Sequence, residues 1–359
     1  MQKNNNIQKP LEDILEIVLI TYNRHKELSR TLQECFAEYS PVRNCQFTIL
    51  DNSSTDGTSD LCQEYEKQYK NVCHIRHKKN IGGNANICRA FEIASSEYVW
   101  VIADDDFIDW TGWQEIEDAL CAGYDCIFTT LLNLRRSDGP GGILMESTFC
   151  PACIHKTANI TSDVLQGMYA NIHNFLPHVT ISIAILQNSG KFYIPKNEII
   201  YQPSKLEHIP EYATMDTTKG NKINYSAFTK NKFWEVGLIT MLSVLETKKQ
   251  NMIYADISKI YGDSREYIKY IINNYASNNF STRNLFDIYW GFPDQCKSIL
   301  INTLFEYFLI SPTSRSPINL SEWNMLIIDA IAQHKRMIVS NKVKLFLKKL
   351  CIRFLRQLK

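Results

Sequence analysis

The segment Tyr98–Ala103 reads YVWVIA, six large apolar residues, and it is followed at once by three carboxylates, Asp104, Asp105 and Asp106. An apolar run this short, rich in Val, Ile and aromatics, has the composition of a strand covered on both faces, as found in parallel sheets with helices on either side. Three adjacent acids repel one another and gain nothing from a core. Their place at the end of a buried strand needs another reason.

The preceding residues supply the rest of a sheet. Glu16–Thr21 (EIVLIT) reads as a strand and His25–Tyr39 as an amphipathic helix. Gln46–Asp51 (QFTILD) is a second strand, followed by a helix over Thr58–Tyr69, and Val72–Arg76 is a third. A glycine turn and a helix over Asn84–Ala94 lead into the strand that ends at Ala103. Strand–helix alternation at this spacing predicts right-handed crossovers and an α/β fold, a mostly parallel sheet flanked by helices. Further strands are expected at Cys126–Leu132 and Thr180–Leu186, and Arg135–Gly142 (RRSDGPGG) is a loop by composition. Beyond about Asn231 the chain turns helical, with apolar residues at helical spacing in FWEVGLITMLSVLE, REYIKYIINNYA and NMLIIDAIAQHKRM. The polar stretch 217–230 reads as a linker.

Bulk properties narrow the setting. The 359 residues, 45% hydrophobic, are enough for two modest domains. A net charge of +1 gives no overall field that selects nucleic acid. The first residues are polar, without a signal-peptide core. No run of about 18 apolar residues is present to span a membrane as a helix. The 11 cysteines, an odd number without a framework, suit reduced thiols in the cytosol. Cys150 and Cys153 have zinc-like spacing with His155 just beyond. A closed zinc site needs a second pair, and Cys121 with Cys126 matches poorly, so two free thiols in a loop are expected.

In a parallel sheet, ligands bind beyond the carboxyl ends of the strands. Three such ends are polar here: Thr21-Tyr22-Asn23, Asp51-Asn52-Ser53-Ser54 and Asp104-Asp105-Asp106. Hard divalent cations such as Mg²⁺ or Mn²⁺ take carboxylates together with substrate phosphates. Alternation along an extended backbone points Asp104 and Asp106 the same way, so these two are the expected metal ligands. The competing readings are a solvated acidic turn, or a helix cap at Asp106. A carboxylate at Asp51 can accept a hydrogen bond from a nucleobase N–H, whereas Asp56 is explained as a turn or cap residue. Gly82 and Gly83 open a helix and would let a phosphate approach backbone N–H groups. Arg89, further along, either reaches a diphosphate or lies on a solvated face.

In this order and at these separations, VLITYNR, LDNSSTDGT and NIGGNANICRAFEIASSEYVWVIADDD resemble the signature segments of glycosyltransferase family 2. The resemblance covers roughly the first half of the chain and implies a GT-A fold. It implies that Thr21, Tyr22 and Asn23 hold the base and ribose of a nucleotide sugar, with Asp51 on the base. It also implies that Asp104 and Asp106 bind Mg²⁺ or Mn²⁺ with the diphosphate, and that Asp105 touches the ribose or the sugar. The glycine segment resembles a variant with paired glycines and a later arginine, with Ala90 where a glycine is frequent.

On this reading residues 1–220 are a GT-A catalytic domain, with nucleotide-sugar binding in about 14–135 and the acceptor part in about 136–220. Residues 231–359 are a C-terminal helical region. The implied reaction is inverting transfer from a nucleotide sugar, expected to be UDP-linked, to a hydroxyl of a glycan or lipid-linked saccharide. Family members usually supply the catalytic base from an acidic pair beyond the metal motif, and no Glu-Asp pair stands there. The candidates are His178, expected at the mouth of a strand and resembling a Pro-His element of some members, and Glu207, near the family's acidic position. Glu211 and Asp216 are further options.

The final segment, 342–359, carries seven basic residues and no acid. Val343, Phe346, Leu347, Leu350, Phe354 and Leu358 fall on one helical face. Such a helix suits an anionic membrane surface, or docks on the protein itself. The expectation is a cytoplasmic protein, peripheral on the inner face of the membrane. Two other classes stay open: a nucleotidyltransferase, although TYNRHKE lacks the glycine-rich loop such an enzyme places after its first strand, and a non-catalytic sugar-nucleotide-binding protein.

Overall fold

The computed structural model describes residues 9–174, 176–201, 234–243 and 245–276, together with 292, 297, 299 and 300. The chain divides into two compact units, residues 1–232 and 233–359.

The first unit opens with a short helix α1 (Leu11–Ile14), which leads into β1 (Leu15–Thr21), α2 (His25–Cys35), β2 (Gln46–Asp51) and α3 (Thr58–Gln68). Next come β3 (Val72–Arg76), α4 (Gly83–Glu92), β4 (Tyr98–Ala103), the short β5 (Phe107–Ile108) and α5 (Trp113–Cys121). The remainder is β6 (Cys126–Phe128), α6 (Pro140–Glu146), β7 (Cys153–Lys156), α7 (Ser162–Ala170), α8 (Val179–Gln187), β8 (Phe192–Tyr193) and β9 (Ile200–Tyr201). The main sheet has the order β3-β2-β1-β4-β7-β6-β8. Strands β3, β2, β1 and β4 are mutually parallel, and β7 alone runs antiparallel to its neighbours β4 and β6. A separate antiparallel pair joins β5 to β9.

Period-two alternation distributes the core over both faces of the sheet. Ile17 and Leu19 of β1, with Tyr98, Trp100 and Ile102 of β4, face one cluster that includes Leu28, Leu32 and Leu61. Val18 of β1, with Val99 and Val101 of β4, faces the opposite cluster with Cys88 and Phe91. Each fully buried Leu or Ile contributes roughly 1.5–3 kcal/mol, so burial on both sides accounts for the near-continuous apolar composition of these strands. Trp100, fully buried, satisfies its indole N–H by donating to the Pro151 carbonyl at 2.8 Å.

The structure corrects the sequence expectations at four places. The apolar stretch expected as a strand at Thr180–Leu186 is helix α8, buried at Val179, Ile181, Ser182, Ile183 and Ile185. A helix enclosed on most sides has no polar face, so its sequence lacks the period that separates it from a buried strand. Next, the loop read at Arg135–Gly142 gives way to α6 from Pro140 onward. A Cβ at Gly142 would lie 1.8 Å from the Ser137 carbonyl oxygen, so the glycine permits a close backbone approach rather than marking a turn. The loop assigned to Cys150 and Cys153 is a 3-10 turn over Cys150–Ala152 running directly into β7, with both cysteines buried. Finally, the strand expected over Cys126–Leu132 stops at Phe128.

In the second unit, α9 (Trp234–Leu242), α10 (Thr247–Ile260) and α11 (Ser264–Ala276) are helical, as the sequence pattern implies. Ile253, Tyr254, Ile257 and Ile260 form the buried stripe of α10. The linker at 217–230, Glu207, Glu211, Asp216 and the basic segment 342–359 lie outside the described residues. Among the described residues, no helix is long and apolar enough to cross a membrane.

Candidate active site

The carboxyl ends of β1, β2 and β4 lie side by side, since Thr21 is paired with Asp51 and Ile20 with Ala103 in the parallel register. The loops that follow β1 and β2 are tied together by short polar contacts. Asn23 donates its backbone N–H to Ser54 Oγ at 2.9 Å, and Thr55 donates to Asn23 Oδ1 at 2.7 Å. Asn23 and Ser53 both have positive φ, 52° and 71°, a region that Asn tolerates better than most residues. Asp56 accepts from Thr58 N at 3.1 Å in the turn before α3, whose N-cap is Gly57, so of the two readings the turn residue is the one observed.

Asp104 is the centre of the site. Its Oδ2 accepts from Thr21 Oγ1 at 2.7 Å and its Oδ1 from Arg24 Nη1 at 2.9 Å. The same guanidinium nitrogen lies 2.6 Å from Asp105 Oδ2. Helix α2 fixes the backbone of this turn: Thr31 Oγ1 donates to the Asp104 carbonyl, and Arg30 Nη2 to those of Asp105 and Asp106. Asp106 folds back, its Oδ2 accepting from Ala103 N at 3.0 Å.

The alternation that would point Asp104 and Asp106 the same way does not extend to them, because β4 ends at Ala103 and the acids form a turn. It is Asp104 and Asp105 that share a partner. Burial pushes the Asp104 carboxyl up to about 7, against the opposing pull of Arg24 and Thr21. Burial and the neighbouring Asp105 charge hold Asp106 well above the usual carboxylate range. Among the described residues no cation lies within ion-pair distance of Asp106.

Asp51 is fully buried. Its Oδ1 accepts from Ser54 N at 2.8 Å, its Oδ2 from the Ser59 hydroxyl, and Arg76 Nε lies 3.4 Å away. Burial opposes its ionisation, but hydrogen bonds from His74, Ser54 and Ser59 outweigh that and hold the carboxyl below the usual range. The carboxylate is buried at the end of β2, as a base contact there would require, and both of its oxygens are engaged by its own loop. The neighbouring Asn52 ties β2 to the glycine segment: its Nδ2 donates to Asn80 Oδ1 at 2.9 Å, and its Oδ1 accepts from Ile81 N at 2.9 Å. Tyr22 is the more open group, 37% exposed.

Gly82 has φ of +89° and precedes α4, which begins at Gly83. A Cβ at Gly83 would meet nothing within 4 Å. Gly82 is thus required by its backbone, while Gly83 leaves open space at a helix N-terminus. Arg89 pairs with Glu92 at 2.6 Å, half-exposed, on its own helix.

His178 is the N-cap of α8 rather than the mouth of a strand, and only 4% exposed. Its Nε2 is 3.2 Å from the Thr148 carbonyl, and burial lowers its pKa to about 4. A closed, weakly basic imidazole is poorly placed to accept a proton from an incoming hydroxyl. The groups that sequence reasoning missed are Arg24, Arg30 and Glu146. Arg24 directly follows the Thr21-Tyr22-Asn23 segment, and that adjacency was the available signal. Glu146, buried, accepts from Leu132 N at 3.0 Å, Asn133 N at 2.6 Å and Leu134 N at 3.3 Å, as well as from the Thr130 hydroxyl. It clamps the loop beyond β6.

Residues 16–144 match the family model described as Glycosyl transferase family 2. The poly(ribitol-phosphate) beta-glucosyltransferase of Bacillus spizizenii is 32% identical over 95 residues, 26% of this chain and 15% of that protein. The abequosyltransferase RfbV of Salmonella typhimurium is 26% identical over 94 residues, 26% of this chain and 28% of that protein. The chain thus spans well under half the length of these curated relatives, and the likeness to them is confined to one part of it. Among solved structures, S. aureus TarS 1–349 in complex with UDP-GlcNAc superposes with a TM-score of 0.54 at 14% identity, covering 83% of this chain and 86% of that one. At that identity the likeness establishes the fold, a GT-A-like sheet flanked by helices. Residues 16–144 thus carry a domain that matches glycosyltransferase family 2.

Proposed function

We propose that the chain is an inverting glycosyltransferase that moves a sugar from a UDP-linked donor to a hydroxyl of a glycan or lipid-linked saccharide in surface-polysaccharide synthesis. One observation carries this reading. The Asp104–Asp106 turn places three successive carboxylates at the carboxyl edge of the parallel strands, two of them buried and held above their usual pKa range. Buried acids in this condition are complementary to an added cation. The named activities of the relatives from Bacillus spizizenii and Salmonella typhimurium, and the UDP-GlcNAc bound by TarS, support the substrate class.

Carboxylate oxygens suit Mg²⁺ or Mn²⁺; Asp104 and Asp106 would hold the ion, with Asp105 beside them, once Asp104 exchanges its contact with Arg24 for the metal. Bound there, the ion would neutralise charge developing on the leaving diphosphate. The chain's own residues do the rest. Thr21, Arg24 and Thr31 fix the Asp104 turn in place. Tyr22 offers an exposed ring for the uracil face, and Asn23 lies beside it. Asn52 sets the glycine segment, whose open space at Gly83 admits a phosphate to the N-terminus of α4. Asp51 shapes the base-binding loop through Ser54 and Ser59, and a base N–H would reach it only if that loop opened. Arg89 would approach the diphosphate only by leaving Glu92.

The acceptor hydroxyl attacks the anomeric carbon from the side opposite the nucleotide, and its proton passes to a base. With His178 enclosed, we assign that role to Glu207. Incubating the full chain with a panel of nucleotide sugars and Mn²⁺, and measuring released nucleotide, tests the reading. Turnover of UDP-sugars that collapses in Glu207→Gln and survives in His178→Gln is expected. Absence of turnover or binding with any nucleotide sugar would overturn the reading, and collapse in His178→Gln alone would overturn the assignment of the base.

A further inference from the structure

The antiparallel pairing of β6 and β7 brings three ligand-type side chains together away from the sugar-nucleotide site. Cys126 is directly opposite His155, and Cys153 lies two residues before His155 on the same strand. In antiparallel strands, directly paired residues share a face, and so do residues two apart. Consistent with that, Cys126 and Cys153 face one core cluster while Ile127 and Ile154 face the other. The two sulfurs and an imidazole nitrogen all lie within 4.8 Å of one another, and no other such trio of His, Cys, Asp or Glu occurs among the described residues.

The surroundings separate this trio from a chance meeting of apolar thiols. All three residues are buried, at 0%, 1% and 1% exposure. His155 Nδ1 has no hydrogen-bond partner, although a buried polar nitrogen left unpaired costs on the order of 1–3 kcal/mol. Ser147 Oγ, which donates to the Ile143 carbonyl, lies 3.7 Å from Cys153 Sγ and adds an oxygen at the edge of the group. Phe91 packs edge-on against the His155 ring and closes another side.

We propose that Cys126, Cys153 and His155 form a binding site for a soft divalent cation, Zn²⁺. Zinc takes thiolate and imidazole ligands at about 2.3 and 2.0–2.1 Å in a tetrahedron, so the donor atoms need to close by roughly an ångström or less. Both sulfurs bind as thiolates, any proton they still carry passing to solvent, and the two negative charges cancel that of the ion. No net charge is then buried, which removes the main cost of an ion in a core. The ion cross-links β7, the one reversed strand of the main sheet, to β6. The CxxC spacing of Cys150 and Cys153 is incidental, because Cys150 is outside the trio.

The test uses the full chain, purified reduced and supplied with Zn²⁺ or Co²⁺ alone. One equivalent of metal per chain is expected, with Co²⁺ giving thiolate-to-metal charge-transfer absorption. That band should vanish in Cys126→Ser and in Cys153→Ser, and persist in Cys73→Ala and Cys121→Ala, whose sulfurs are exposed. The melting temperature of the unsubstituted chain should rise with Zn²⁺ and fall back with chelator, a readout that does not depend on the variants folding. A folded, reduced chain that takes up neither metal, a Co²⁺ band that survives both cysteine substitutions, or a Cys126–Cys153 disulfide in the freshly purified protein would each overturn the proposal.

Discussion

Replacing Arg24 by alanine removes the guanidinium that Asp104 and Asp105 share, at 2.9 and 2.6 Å. The cost should depend on pH. Asp104 is buried and titrates at about 7, compared with 3.8 for a free Asp. An acid whose pKa is raised on folding contributes stability at low pH and loses it as pH rises through the folded value. Between about pH 4 and 7, that loss is on the order of 4 kcal/mol for this one group. Arg24 limits it by favouring the ionised form. Without Arg24, Asp104 stays protonated to higher pH or ionises without a partner, so the deficit of the variant should grow with pH. Near pH 6 we expect about 1 kcal/mol, chiefly from the partly exposed Asp105 contact. Near pH 8.5, loss of a buried charge's partner should bring it to about 3 kcal/mol. Urea unfolding of both proteins across this range measures the difference, and Mn²⁺ should narrow it at the higher pH by supplying the missing positive charge. A deficit that does not vary with pH, or that Mn²⁺ leaves untouched, would rule out this role for Arg24.

Three further substitutions have outcomes set by the geometry. Glu146→Gln replaces one carboxylate oxygen with an NH₂ that faces donors, two donors meeting each oxygen, so denaturant unfolding should show a loss of about 2–5 kcal/mol. Gly83→Ala places its methyl in open space at the start of α4, so thermal unfolding should register a gain of up to about 1 kcal/mol. Nucleotide affinity should fall in the same variant, by calorimetry, because the methyl occupies the phosphate's approach. Gly142→Ala should destabilise the fold in the same denaturant assay, by about 1–3 kcal/mol, since its Cβ meets the Ser137 carbonyl at 1.8 Å.

The parallel half of the sheet was legible because its signals are local. EIVLIT, QFTILD and YVWVIA are each compact apolar runs bounded by polar residues, and each helix between them has a clear periodicity. The location of the candidate site was read from the same strands, since a parallel sheet gathers its strand ends at one edge. The reversed strand β7 was not legible. It is four residues long, and its pairings with Cys126–Phe128 and Tyr98–Trp100 are set by contacts far apart in sequence. Helix α8 reads as a strand because its surroundings, not its own pattern, decide that it is a helix. Within the site, residue identity gave the acids but not their arrangement. Alternation holds only inside a strand, so the pairing of Asp104 with Asp105 through Arg24 required the turn to be seen. Asp51 stood out from its place at a strand end, while its engagement by Ser54 and Ser59 depends on the course of the next loop.

We propose that a divalent cation held at the Asp104–Asp106 turn carries the diphosphate of the donor. The most direct measurement is calorimetric binding of UDP to the full chain with Mn²⁺, with excess chelator, and with Mn²⁺ in Asp104→Asn and Asp106→Asn. An interaction with a charged partner is worth about 1.5–3 kcal/mol, so affinity should fall by roughly ten- to a hundredfold in chelator and in both variants, while circular dichroism stays unchanged. Equal UDP affinity with and without the metal, in a protein that folds normally, would exclude a metal-held diphosphate at this turn.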